Sequence, residues 1–272
     1  MVVGPESLNI QGKFILLGTG TSVGVPTIGC GCAVCRGGKP RNQRTRSAAI
    51  AGLPDGNLLI DTPPDLRTQL LREGIGLVHG VLYTHAHADH LFGLDDLRLF
   101  PLSLGYPLPC YAEPGVERVI RESFRYVFEN LVVETHVGSR PQLAMHSIGE
   151  SAFEVLGARI IPIRLQHGPH FRVLGFRIGD LAYCTDTNGI SESGWARLQG
   201  LDTLVLDALR NRPHATHFGL EEAIAVAKQL KPRRVVFTHM SHELDYETVN
   251  ARLPQGMELG YDGMQLPLPM PG

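Results

Sequence analysis

The stretch Val81-Leu82-Tyr83-Thr84-His85-Ala86-His87-Ala88-Asp89-His90-Leu91-Phe92-Gly93-Leu94 decides the reading of this chain. Val81–Tyr83 reads as a short buried strand. Alternate side chains of a strand share a face, so His85 and His87 can hold one ion side by side. A turn into a helix then aims Asp89 and His90 back toward a neighbouring position. Imidazole and carboxylate together suit zinc, manganese or iron, with zinc the first expectation. A solvated His-rich turn is the bland alternative, and it explains neither the strand before the run nor the apolar residues after it.

Outward from this run, two patterns alternate. Short apolar runs predict strands over Phe14–Leu17, Ser47–Ala51, Leu58–Ile60, Arg159–Leu165, Phe171–Ile178, Leu181–Tyr183, Thr203–Leu206 and Val235–Phe237. Helical spacing marks Asp65–Arg72, Val116–Phe128 and Leu220–Leu230, the last with Pro232 just beyond its end. No repeat, linker or low-complexity tract interrupts the alternation. It predicts one α/β domain over 1–272 with helices on the outer faces. The tail Leu266–Gly272, rich in proline, reads as a loosely held end.

Composition narrows the class. The 272 residues are 43% hydrophobic and 19% charged, which excludes a disordered chain. Lys plus Arg number 25 against 27 for Asp plus Glu, a net charge of −2, so no global basic field favours nucleic acid. No apolar run approaches the roughly 18–20 residues that a membrane span demands. Met1–Lys13 lacks the basic and apolar regions of a signal peptide. Together with the cysteine usage, these features predict a cytoplasmic protein.

Three of the five cysteines fall in Cys30-Gly31-Cys32-Ala33-Val34-Cys35, within a Gly-, Cys- and Arg-rich loop over Gly18–Ser47. Such crowding suits a metal better than a disulfide framework. Three thiolates can wrap one tetrahedral zinc and leave one position open, for which His242 is the natural ligand. A redox pair or free thiols are the alternatives. The same loop carries Arg36, Lys39, Arg41, Arg44 and Arg46, which read either as a solvated run or as a clamp for a substrate phosphate. Arg44 and Arg98 are the candidates for that clamp. Cys110 and Cys184 read as inert residues in strands.

The run His85-Ala86-His87-Ala88-Asp89-His90 resembles the H-x-H-x-D-H signature of the metallo-β-lactamase-fold hydrolases, and the resemblance extends from about Phe14 to Gly263. It implies a four-layer αβ/βα sandwich with two divalent ions, zinc or manganese, in the active site. On this likeness His85, His87 and His167 hold one ion. Asp89, His90 and His239 hold the second, Asp186 bridges the two, and Asp61 orients the site. Two ions about 3.5–4 Å apart can hold a bridging hydroxide at neutral pH, which Asp89 would also orient.

The C-x-C-x-x-C loop after Leu17-Gly18-Thr19-Gly20-Thr21 pairs with Thr238-His239-Met240-Ser241-His242. With Gly260-Tyr261-Asp262-Gly263-Met264, these motifs are similar to the PhnP-like, phosphoribosyl 1,2-cyclic phosphodiesterase branch. That likeness implies a structural zinc on Cys30, Cys32, Cys35 and His242. It also implies a leaving-group role for His217, a homodimer, and a small, cyclic ribose phosphodiester as substrate. For His217 the bland alternative is a helix-capping or surface histidine. The rival activities on the same motifs are tRNA 3′-end cleavage and thioester or lactone hydrolysis. The first lacks its long docking arm here, and nucleic acid is not the expected partner. A non-catalytic metal-binding module is disfavoured, since every expected ligand is present.

Overall fold

The computed structural model describes residues 8–129 and 138–269. The reading of Met1–Lys13 rests largely on residues 1–7, which lie outside the described residues, as do residues 270–272 of the tail. In chain order the first strands are β1 (Lys13–Gly18), β2 (Ala48–Leu53), β3 (Gly56–Ile60), β4 (Gly80–Leu82), β5 (Leu108–Ala112) and β6 (Leu143–Ser147). They are followed by β7 (Phe153–Val155), β8 (Ala158–His167), β9 (Phe171–Ile178), β10 (Leu181–Cys184) and β11 (Gly189–Ile190). The last are β12 (Thr203–Asp207), β13 (Arg234–Thr238), β14 (Met257–Leu259) and β15 (Met264–Pro267). One sheet has the order β15-β1-β2-β3-β4-β5-β6 and the other β11-β8-β9-β10-β12-β13-β14, with β7 paired to β8.

The strands are apolar on both faces because each sheet is covered twice. In β1, Phe14 and Leu16 face the second sheet, while Ile15 and Leu17 join the helix-covered side. In β12, Val205 lies between the sheets, whereas Leu204 and Leu206 pack toward the helix Leu220–Leu230. The inter-sheet core pairs Phe14, Leu16, Leu58 and Ile60 with Leu174, Phe176, Tyr183 and Val236. The outer layers are built by helices Leu66–Arg72 and Pro114–Ser123 on one side and Leu220–Leu230 on the other. This is the expected four-layer αβ/βα sandwich. Among the described residues no helix is long and apolar enough to cross a membrane.

Strand direction positions the site. β3, β4 and β5 run parallel, as do β10, β12 and β13. β8 and β10 are both antiparallel to β9, so they also share a direction. The tips carrying candidate ligands therefore open at common edges, at the carboxyl ends of parallel strands where α/β folds place their sites.

Two expectations need correction. The helix predicted over Val116–Phe128 breaks at Phe124, where φ −119° and ψ 46° leave the helical region. The turn lets the Phe124 ring meet Phe92 edge-on at 5.7 Å. The tail is not loose as far as Leu268: β15 pairs antiparallel with β1, and Leu266 and Leu268 are fully buried. Alternation rather than composition holds it, since Gln265 and Pro267 face outward between them. Leu266→Ala is expected to lower stability by about 2–4 kcal/mol in denaturant titration, the usual cost of a core leucine. Gln265→Ala should stay within about 0.5 kcal/mol. Equal effects from the two would contradict the edge-strand assignment.

Candidate metal centre

Most of the candidate ligands sit at or just beyond a strand tip. Asp61 follows β3, His85 lies just past β4, His167 ends β8, Asp186 lies just past β10, and His239 follows β13. Asp61, Asp186 and His239 take left-handed backbone angles, φ 64°, 52° and 58°. That region is costly for residues other than glycine, and such strain concentrates where a side chain must be aimed. Asp89 and His90 instead enter on the short helix Ala88–Leu91, which begins directly after His87.

These residues converge as two adjoining clusters. The donor atoms of His85, His87 and His167 lie within 4.8 Å of one another, and so do those of Asp89, His90, Asp186 and His239. His90 Nε2 is 3.1 Å from one oxygen of Asp186, and His239 Nε2 is 3.1 Å from the other. Asp186 also reaches toward the first cluster, 3.9 Å from His85 Nε2. Donors bound tetrahedrally to one ion at about 2.0–2.2 Å stand about 3.3–3.6 Å apart, so the 3.1 Å contacts are close to the spacing of a shared ion. Among the described residues the buried Nε2 atoms of His85, His90 and His239 make no aligned hydrogen bond, although Asp186 approaches all three. Orphaned buried nitrogens aimed at a common point are costly unless something binds there. The donor set is that of zinc or manganese.

The opposite ring nitrogens of His85, His90 and His167 are tied down, that of His85 by the Thr84 hydroxyl at 2.9 Å. His90 Nδ1 meets Asp61 at 2.7 Å, and Asp61 accepts the Thr84 amide at 2.8 Å and hydroxyl at 2.7 Å. His167 Nδ1 donates to the Thr216 carbonyl at 2.8 Å. Anchors of this kind orient ligating imidazoles. Asp61 thus stands behind the centre, where the orienting role implied by the family resemblance would place it.

Charge in the cluster is balanced for a cation. Burial opposes ionisation of Asp186, yet the flanking His239 and His90 hold it well below the ordinary carboxylate value. Burial likewise opposes Asp89, which His239 and His90 keep low. Against burial, Asp186 and Asp61 lift His90 well above an ordinary imidazole, and Asp186 lifts His239 to about 10. Burial drives His85 and His167 down. The carboxylates remain ionised, and a divalent ion would displace the protons they attract to their neighbours.

His217 is brought to the same place. Its ring centroid is 4.7 Å from those of both His167 and His239. Its Nδ1 contacts Asp207 at 2.7 Å, and Asp207 also accepts the Thr187 amide at 2.7 Å. Asp207, the last residue of β12, holds the His217 ring and was passed over in the sequence reading. A carboxylate closing a wholly buried strand was the available signal. His214 lies 5.3 Å beyond His217, and His170 is exposed on the β8–β9 turn.

A cleft of about 590 Å³ opens beside His85 and His87, walled by Val116, Val119 and Phe171 and reaching Arg164 and Arg172. Arg164 forms a fork on Glu113, with contacts of 2.5 and 2.8 Å, and also meets Glu150 at 3.2 Å.

Neither arginine expected at the phosphate faces this centre. Arg44 is 1% exposed, its guanidinium spent on the carbonyls of Ser241 at 2.9 Å and Leu244 at 2.6 Å. It ties the cysteine loop to the segment carrying His242. Arg98 pairs with Asp95 and lines a groove with Leu70, Leu71 and Leu99 on the outer layer. The turn Leu94–Leu99 buries Leu94 and Leu97, which sends Arg98 outward. The rest of the basic run is largely engaged too: Lys39 on Glu247, Arg41 on Tyr246, Arg46 on Asp65.

The cysteine loop does close on His242. Its Nδ1 lies 3.1 Å from Cys30 Sγ, 3.2 Å from Cys32 Sγ and 3.7 Å from Cys35 Sγ. A tetrahedral zinc with bonds of about 2.0 and 2.3 Å would set such edges at about 3.5 Å. The Cys35 amide donates to Cys32 Sγ, which is drawn down to about 6, and the Thr27 amide donates to Cys35 Sγ. Burial pushes Cys35 up to about 11. Cys110 and Cys184 are buried in strands away from this group. Cys32→Ser is expected to remove one zinc per chain by plasma emission and to lower the unfolding temperature. Unchanged metal content would overturn the assignment.

Comparison with known proteins agrees with this geometry. Residues 56–240 match the family described as "Beta-lactamase superfamily domain". A crystal structure described as a new diphosphatase from the PhnP family is 42% identical, with a TM-score of 0.87 over 93% of this chain and 96% of the other. A protein of Porphyromonas gingivalis named octanoyltransferase is 36% identical over 93% of this chain, which spans only 51% of that protein's length. Zn(2+)-bound PqqB from Methylobacterium extorquens shares the fold, with a TM-score of 0.70 at 22% identity over 94% of this chain and all of that one. With its two-sheet sandwich and its histidine and aspartate clusters, the chain belongs to the beta-lactamase superfamily, in its PhnP-like branch of metallo-β-lactamase-fold hydrolases.

Proposed function

We propose that the chain is a dinuclear metal-dependent phosphodiesterase acting on a small substrate, with a cyclic ribose phosphodiester as the first candidate. The observation that carries the reading is the placement of His217 against both clusters, with Asp207 behind it. The diphosphatase name of the relative at 42% identity supports phosphoric ester or anhydride chemistry. The net charge of −2 argues against a nucleic-acid substrate, whose backbone recognition is dominated by basic contacts.

His85, His87 and His167 would hold one ion, Asp89, His90 and His239 the other, with Asp186 between them. Ions bound there would acidify a water and offset the charge that builds on the phosphoryl oxygens. The side chains supply the rest. Asp207 fixes the His217 ring through Nδ1, which leaves Nε2 to donate a proton. As water adds to phosphorus and the phosphorus–oxygen bond breaks, that proton goes to the departing oxygen. Asp207 stabilises the imidazolium before donation, and water returns the proton afterwards. Arg164, held by Glu113 and Glu150, keeps the adjoining cleft open without presenting a free cation. The thiolate cluster would take a structural zinc.

The test is hydrolysis of 5-phosphoribosyl 1,2-cyclic phosphate by zinc- or manganese-loaded protein. Bis(4-nitrophenyl) phosphate and an acyl thioester run beside it, with His87→Ala as the blank. Turnover of the phosphodiesters is expected. Hydrolysis of the thioester alone would overturn the proposal in favour of acyl chemistry. His217→Ala is expected to lose about 10²–10⁴-fold in kcat on the cyclic ester while retaining both ions, the range of general acid catalysis. Near-full activity in that variant would remove the proton-donor role.

A further inference from the structure

The β8–β9 hairpin puts two unusual side chains at the rim of the cleft beside His85 and His87. Phe171 is 56% exposed, yet its ring lies 5.2 Å from His87 and 6.2 Å from His167. An aromatic left bare against candidate ligands forms a platform rather than part of the core. Arg172 follows it in the same cleft wall. The cleft's other arginine, Arg164, is neutralised by Glu113 and Glu150. Among the described residues, no carboxylate, carbonyl or ring engages the Arg172 guanidinium. It is the cleft's unspent cation.

We propose that Phe171 and Arg172 form a substrate subsite, in which Phe171 packs against the ring of the substrate and Arg172 binds a second anionic group remote from the reacting phosphorus. The ligand class is a ring-bearing phosphoric ester with two anionic groups, such as a sugar carrying a second phosphate. The inference deepens the phosphodiesterase reading and rests on it for the seating of the first phosphoryl group at the metal clusters.

The juxtaposition explains why the expected clamp is not among the arginines of the cysteine loop, whose guanidinium groups are largely engaged. An arginine matches phosphate oxygens with paired hydrogen bonds, and its head group is free here to turn toward a ligand. The apolar wall of Val116, Val119 and Phe171 offers a ring a dry seat, and the cleft's two carboxylates, Glu113 and Glu150, are engaged by Arg164 rather than by Arg172.

Titration calorimetry tests the subsite without requiring turnover, so loss of the subsite and absence of diesterase activity are separate results. The ligands are ribose 1-phosphate and ribose 1,5-bisphosphate, added to zinc-loaded protein. The bisphosphate is expected to bind at least about 10-fold tighter, in keeping with a charge-assisted hydrogen-bonded contact. Arg172→Ala should bring that ratio near one, Arg172→Lys should restore part of it, and Phe171→Ala should weaken both ligands together. Equal affinities in the parent protein, or an unchanged ratio in Arg172→Ala, would overturn the proposal.

Discussion

The carboxylate of Asp186 is the contact on which the rest of the site depends. One of its oxygens lies 3.1 Å from His90 Nε2 and the other 3.1 Å from His239 Nε2, and His85 stands 3.9 Å away. A single buried acid thus joins ligands from both sheets. Leaving such a charge unpaired in the interior would cost several kcal/mol, on the order of a large share of a domain's net stability. The left-handed turns at Asp61, Asp186 and His239 are the backbone strain that accompanies this aim. They are held because each follows a strand locked between covered layers.

The cysteine loop acts on the same constraint from outside. The Met240 amide donates to the Thr19 carbonyl, and the Thr21 amide donates to the Met240 carbonyl, so the loop's start grips the residue after His239. Arg44 and the thiolate cluster grip Ser241, His242 and Leu244 further on. Gly20 is needed in this clamp, since a Cβ there would lie 2.7 Å from the Arg44 carbonyl oxygen. The loop therefore fixes a ligand-bearing segment without touching the candidate substrate cleft.

Much of this was legible from residue order. The layers followed from short apolar runs alternating with helical spacing, and the ligand roster followed from the family resemblance, laid over the charged and imidazole residues that close those runs. Strands β5, β6, β7, β11, β14 and β15 were not legible. They are short or interrupted by Pro109, His146, Glu154 and Glu258, and only pairing with a neighbour makes them strands. Arg44 shows why loop cations mislead. Its composition says solvated, while its fate was set by carbonyls about 200 residues away, which no local pattern encodes. Asp207 and the Phe171–Arg172 pair were missed for a similar reason: Thr187 and His217 meet Asp207 only once separate segments of the second sheet pack together, and His87 reaches Phe171 from the first sheet.

The proposed centre is two ions sharing Asp186. Anomalous diffraction at the zinc and manganese edges, from crystals grown with these metals, tests it most directly. Two peaks about 3.5–4 Å apart are predicted, one among His85, His87 and His167 and one among Asp89, His90 and His239, with Asp186 between them. A single peak, or ions bound elsewhere while these histidines keep their positions, would contradict it.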